Sequence, residues 1–316
     1  MENNYQLSPF HYEPKMRFET IINKKPKEVQ IQGNEVSIIR ALAKYKILNK
    51  HCINGCVRKE QPAKRQKTSY DTEINSLFQG GYIIKYYYPV QINGRSNTVL
   101  YALSPKGAQY ALSKNIKVSL RGDAEEKIPV FDTVSVLETA TLNSWHTRLA
   151  ECYSSNIITE LYDHVTESSD EKNIVVPSFF YLRNTDKHLF SELAVAAIVF
   201  KKDRSIEAEG AFINNILAVN SFLYTNRSVY KNGFIVILVE SFIEMERASI
   251  LIQSYSAFSH LQVYYAVDEY VNELSPLEWL YDAQNDEASM TTQYTLVNMM
   301  IQKKGGSDRA EKRVHS

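Results

Sequence analysis

Ser69-Tyr70-Asp71-Thr72-Glu73-Ile74-Asn75-Ser76-Leu77-Phe78-Gln79, closed by Gly80-Gly81 and followed by Tyr82 to Val90, is the stretch that decides the fold. Tyr70, Ile74, Leu77 and Phe78 recur at three-and-four spacing, which predicts a helix with one buried face. Ser69 is placed to cap its start, and the two glycines stop it. The next run, Tyr82 to Val90, changes to the residues of a strand. A second such run, Thr98 to Leu103, follows after a loop centred on Asn93-Gly94, the dipeptide that best suits a tight hairpin. Ser104-Pro105 then opens a short helix through Leu112, with proline where its missing N–H does no harm.

Upstream, Val36, Ile38, Ile39, Leu42 and Tyr45 give the same helical spacing over Asn34 to Leu48, with Asn34 as its predicted cap. Lys50 to Arg58 predicts a second helix with Cys52, Ile53, Cys56 and Val57 on one side. Lys59 to Thr68 is a polar loop broken by Pro62. The resulting order is helix, helix, helix, strand, hairpin loop, strand, helix. It predicts a winged helix-turn-helix domain over residues 34–112, behind an N-terminal arm of residues 1–33.

Residues 113–130 lose periodicity and turn acidic, which predicts a linker. From 131 to 302 strands alternate with helices, which predicts an α/β domain with a mixed sheet. The expected strands are Phe131 to Val136, Ile174 to Leu182, Leu193 to Phe200, Phe234 to Glu240 and Gln262 to Val267. Between them, Asn143 to Asp163, Glu207 to Tyr224 and Ile243 to Phe258 read as helices. A last amphipathic stretch lies near Tyr294 to Ile301, and the charged tail 303–316 reads as disordered. The fold class is therefore α/β overall, and the layout of the second half admits a restriction-endonuclease-like scaffold.

Charge is segregated along this chain of 316 residues. Residues 1–120 hold 19 Lys and Arg against 8 Asp and Glu, and the rest hold 17 against 28, so a formal net charge of +0 conceals two opposite halves. A basic half joined to an acidic half points to a polyanion-binding domain fused to one with another task. The apolar runs fall far short of the roughly 20 residues that cross a bilayer, and Met1 to Pro14 lacks the basic and apolar segments of a signal peptide. No membrane association and a cytoplasmic location are expected. The three cysteines, Cys52, Cys56 and Cys152, are expected to be reduced thiols.

A helix that enters the major groove needs small polar side chains outward and flanking cations for phosphates. Ser69, Thr72, Glu73, Asn75 and Ser76 are the outward candidates. Lys64, Arg65 and Lys67 precede the helix, Lys85 lies on the adjoining strand, and Arg95 sits at the hairpin tip where a wing touches DNA. Double-stranded DNA is thus the expected partner.

Enzymatic motifs are hard to find. Glu240 ends the best strand, but position 242 is Phe where a metal-dependent nuclease would carry Lys. Asp268, Glu269, Glu207 and Glu209 are the other carboxylates that a metal site would draw on. A relaxase would need two histidines flanking one apolar residue, and no such pair occurs among the seven. His51, Cys52 and Cys56 lack a fourth ligand at zinc-site spacing, and the cysteines are better read as core residues. His146, beside Trp145, is most simply structural. No phosphate-cradling glycine loop is present. No cofactor and no catalysis are expected.

Residues 34–112 resemble the winged helix of the replication-relaxation family of plasmid and mobile-element proteins. The resemblance rests on Ile38-Ile39-Arg40-Ala41-Leu42, on Leu77 through Ile83 with its Gly-Gly pair, and on Leu100-Tyr101-Ala102-Leu103-Ser104-Pro105-Lys106-Gly107-Ala108. It implies a DNA-binding accessory role in plasmid or mobile-element replication, relaxation or mobilisation, alongside a relaxase or replication protein. The acidic α/β domain would then serve homo-oligomerisation or recruitment. A transcription regulator with a sensing domain, and a metal-dependent DNA-processing nuclease, are the alternatives.

Overall fold

The structure, a computed structural model, describes residues 18–60, 67, 69–88, 98–118, 133–152, 157–162, 165–169, 172–176, 179–184, 192–200, 205–228, 233–255 and 262–267. It is mixed α/β and divides into two compact units, Met1–Glu151 and Cys152–Ser316.

The first unit runs β1 (Glu19–Ile21), α1 (Asn34–Tyr45), β2 (Ile47–Asn49), α2 (Lys50–Glu60), α3 (Asp71–Gln79), β3 (Ile83–Tyr88), β4 (Thr98–Leu103), α4 (Pro105–Ser113) and α5 (Thr133–Cys152). Its strands form one antiparallel sheet in the order β1-β3-β4-β2. α1 packs against α2, α3 and α4, and Ile38, Ile39, Leu42, Ile53, Val57, Tyr70, Ile74 and Leu77 form the interior. Each such aliphatic side chain contributes roughly 1.5–3 kcal/mol on burial.

Two junctions explain the chain's turns. Gly81 has φ 74°, a left-handed conformation that favours glycine, and it turns α3 into β3. The Ser104 hydroxyl donates to Gly81 O (2.6 Å) and accepts from Gly107 N (3.0 Å), so one side chain ties the turn to the start of α4. A Cβ at Gly107 would stand 2.0 Å from Tyr82 O, so only glycine allows α4 to lie this close to β3.

The helix starts differ from the sequence expectation. α1 is preceded by Gly33 with φ 56° and has no side-chain cap. Asn34 instead donates from Nδ2 to Glu73 Oε1 (3.1 Å), joining α1 to α3. α3 begins at Asp71, and Ser69 Oγ accepts from Asp71 N (3.3 Å) in the turn before it.

α5 is the main correction. Phe131 to Val136 was expected as a strand and Asn143 to Asp163 as a helix, with a domain boundary before 131. Thr133–Cys152 is one helix, and it belongs to the first unit. Val136 and Ala140 pack with Ile47, Ile84, Tyr86, Leu100 and Ala102 on the face of the sheet that α1 to α3 leave open. Asn143 Nδ2 donates to Tyr45 O (2.6 Å) and Ile47 O (2.8 Å), satisfying two carbonyls where the chain leaves α1 for β2. Polar residues fill much of this helix's inner face, which hid it from a hydrophobic count.

In the second unit, β5 (Ile157–Tyr162), β8 (Phe179–Asn184) and β9 (Glu192–Val199) form an antiparallel meander. β6 (Val165–Ser169) and β7 (Lys172–Val176) make a separate hairpin. α6 (Ile206–Thr225) then leads to β10 (Gly233–Val239), and α7 (Phe242–Gln253) to β11 (Val263–Val267), both strands parallel to β9. The mixed sheet has the order β11-β10-β9-β8-β5. Ile235, Ile237 and Val239 face Phe212, Ile216, Val219, Ala248 and Ile252 of the two helices. Their even-numbered neighbours from Phe234 to Leu238 are buried too, as a continuous apolar strand requires. The run Ile174 to Leu182, expected as one strand, spans two, with Pro177-Ser178 between them. The helix expected to reach Asp163 gives way to β5.

Candidate nucleic-acid interface

The solvent face of α3 carries Asp71, Thr72, Asn75 and Gln79, with Ser76 and Phe78 half-buried beside them. Lys85 lies on the helix-facing side of β3, because Ile84 and Tyr86 point the other way towards α5. Its Nζ is 3.4 Å from Asn75 Oδ1 and 4.2 Å from the Phe78 ring centroid. Partial burial lowers the pKa of its ammonium. Lys50 pairs with Asp71 (2.7 Å), neutralising the only carboxylate on that exposed face, and its hydrogen bond holds the carboxyl below the usual range.

Of the outward residues expected from the sequence, Thr72, Asn75 and Ser76 do lie on this face and Lys85 joins them. Glu73 does not. It is 7% exposed and sits between Asn34 and Lys67, whose ammonium is 2.5 Å away. Burial pushes its carboxyl up, but hydrogen bonds from Lys67 and Asn34 outweigh that and hold it below the usual range. The same hydrogen bond raises the pKa of Lys67, whose side chain stays largely in solvent. Ser69 is half-buried and serves the turn before α3. Lys64, Arg65 and Arg95, with the expected hairpin tip, lie outside the described residues, as do Asp268, Glu269, the stretch Tyr294 to Ile301 and the tail.

The structure adds to this face a group of cations from the N-terminal arm. β1 pairs with β3 in a register that sets Ile21 opposite Lys85. The chain then runs past the end of α3, where Asn23 Nδ2 (2.7 Å) and Lys27 N (2.9 Å) both donate to Gln79 O. These bonds use a helix-end carbonyl that would otherwise lack a partner. They bring Lys24, Lys25 and Lys27, all exposed, to the end of the α3 face. The run Lys24-Lys25-Pro26-Lys27 was visible in the sequence, but its docking depends on a β1 strand of three residues.

His51 is exposed whereas Cys52 is buried, so these neighbours do not converge. Among the described residues, no three His, Cys, Asp or Glu side chains are grouped to hold a metal ion. His146 is in the interior of the first unit, with Nδ1 2.8 Å from the Tyr45 hydroxyl. In the second unit Glu240 is half-buried at the end of β10. Glu209 is bound by Arg247 (2.9 Å), which also holds Glu244 (2.7 Å) and covers the Phe200 ring. Among the described residues, no helix is long and apolar enough to cross a membrane. No family model, curated protein or solved structure matches the chain.

Proposed function

We propose that residues 34–112 are a winged helix-turn-helix domain that binds double-stranded DNA, with α3 in the major groove. The observation that carries this reading is the exposed, polar α3 face, bordered by Lys85 on one strand and by Lys24, Lys25 and Lys27 on the tethered arm. Cations beside a groove-sized helix supply phosphate contacts, and short polar side chains on the helix read base edges. The strand order β3-β4-β2, with three helices on one side, is that of a winged helix. β1 extends this sheet, and α5 backs it.

The cellular role follows from the resemblance of residues 34–112 to the replication-relaxation family. It is that of a non-enzymatic, cytoplasmic accessory protein in plasmid or mobile-element replication, relaxation or mobilisation. The meander β5-β8-β9, then α6, then parallel β10 is the order of a restriction-endonuclease-like core. We read it as a scaffold without nuclease chemistry, because β8, and β9 beyond its first residue Glu192, contain no carboxylate and no lysine. Its acidic surface would be repelled by DNA and left free for a second copy of the chain or a relaxase or replication protein.

Gel-shift titration of duplex DNA at about 50 and 200 mM salt tests the reading. With about six phosphate contacts, affinity should fall about a thousandfold between the two. The triple variant Lys24→Ala, Lys25→Ala, Lys27→Ala should lower the salt slope by about 2 to 3. An unchanged slope would remove the arm from the interface. Nicking of supercoiled plasmid in Mg²⁺ that disappears in Glu240→Gln would replace the proposal with an enzyme.

A further inference from the structure

The contact between Lys85 and Asn75 fixes the chemistry that α3 presents. An ammonium can only donate, so Asn75 meets Lys85 Nζ through Oδ1 (3.4 Å), and its NH₂ group points away. Lys85 is itself well placed to hold that amide. Its strand is paired on both sides, to β1 through Ile21 and to β4 through Tyr101, and its ammonium rests over the Phe78 ring. Asn75 is exposed on the helix, one turn beyond Asp71. The pair therefore offers the two N–H bonds of Asn75 and the remaining N–H bonds of Lys85, against one remaining lone pair on the amide oxygen.

A free asparagine reads adenine by a bidentate pair, donating to N7 and accepting from the N6 amino group. That pairing would bring the N6 amino group, a donor, to Oδ1 beside the Lys85 ammonium, which can only donate, so the two donors oppose each other there. Guanine presents N7 and O6 in the major groove, two acceptors side by side, whereas thymine presents a single acceptor and cytosine a donor. We infer that Asn75 and Lys85 act together as a donor-rich reading head that selects guanine in the bound duplex. Asn75 is the specificity-determining residue and Lys85 both positions it and shares the base. This inference rests on the DNA-binding reading above.

The test begins with selection of tightly bound duplexes from a randomised pool by the full chain. Affinity is then measured for each single-base replacement at the positions selected. One guanine should be preferred over adenine by about ten- to a hundredfold, and 7-deazaguanine there should bind more weakly than guanine. Asn75→Ala and Lys85→Met, the latter keeping the apolar stem over Phe78, should each flatten preference at that position and leave preferences elsewhere intact. Asn75→Asp, which turns the head into an acceptor, should move the preference away from guanine. Salt-dependent binding whose base preferences are unmoved by these substitutions would overturn the reading head alone. So would an adenine preference lost in Asn75→Ala. Absence of salt-dependent affinity for any duplex would overturn the DNA-binding reading and this inference with it.

Discussion

His146 should make the first unit sensitive to mild acid. Its ring is 0% exposed, Nδ1 meets the Tyr45 hydroxyl at 2.8 Å, and the side chain lies between α5 and the end of α1. Burial, then the positive charges of Lys44 and Lys59, push its pKa well below the ordinary 6.5. Tyr45 offers no counter-charge, because burial, then Cys56 and Cys52, push its pKa well up and keep it neutral. The folded chain therefore resists a proton that the unfolded chain accepts.

The sign and size follow from linkage. With the folded pKa below the unfolded one, this contribution to stability is complete above about pH 6.5. It is lost as pH falls towards the depressed folded value, at about 1.4 kcal/mol per pH unit. Between pH 7 and pH 5 the loss is at most about 2 kcal/mol, the linkage slope taken from about pH 6.5 down to pH 5, which is a large share of a typical margin of roughly 5–15 kcal/mol. The carboxylates Asp71 and Glu73 also have lowered pKa values, but their stability is lost below the ordinary 3.8 and 4.5, outside this window. Urea unfolding followed by fluorescence of Trp145, which is fully buried beside His146, reads the right unit once Trp279 is replaced by Phe. His146→Gln keeps a polar partner for Tyr45 and cannot titrate in this range. Its unfolding free energy should change less than the parent's over pH 7 to 5, by up to about 2 kcal/mol. Equal pH slopes in the two proteins would refute the reasoning.

Gly107→Ala should destabilise the first unit by at least about 1–3 kcal/mol, since the added methyl would meet a backbone oxygen at 2.0 Å and α4 would have to move; thermal unfolding reads it. Asn143→Ala strands the carbonyls of Tyr45 and Ile47 and should cost about 1–3 kcal/mol for each that stays dry, measured by the shift in urea midpoint. A chain of residues 18–152 should unfold cooperatively. One ending at 118 should bind a hydrophobic dye and lose that transition, because Ile84, Tyr86, Leu100 and Ala102 lose the cover of Val136 and Ala140.

How far the sequence could be read depended on whether a residue's partner was local. Thr98–Leu103 was legible to the residue, because a hairpin dipeptide precedes it and a Ser-Pro helix start follows. Phe234 to Val239 was legible because six consecutive apolar residues suit a strand buried on both faces. α5 was not. Thr133-Val134-Ser135-Val136 alternates like a strand, and the helix's inner face includes Asn143 and His146, whose burial is explained only by carbonyls and a tyrosine about a hundred residues away.

The candidate site divides along the same line. Thr72, Asn75 and Ser76 follow from helical spacing alone, because a residue opposite the buried Ile74 and Leu77 must face outward. Glu73 breaks that rule. A carboxylate on a helix is assigned to solvent by default, and what holds this one inside is an amide from α1 and an ammonium from the preceding loop, neither legible from spacing. The arm is the converse case, with three lysines whose position comes from backbone hydrogen bonds to β3 and to one carbonyl at the end of α3. Long-range polar contacts therefore subtract Glu73 from the face that spacing predicts and add Lys24, Lys25 and Lys27. The first change is close to neutral, because Glu73 pairs with the expected cation Lys67, and the second makes the α3 face more positive than the sequence alone implied, in the direction that a phosphate backbone requires.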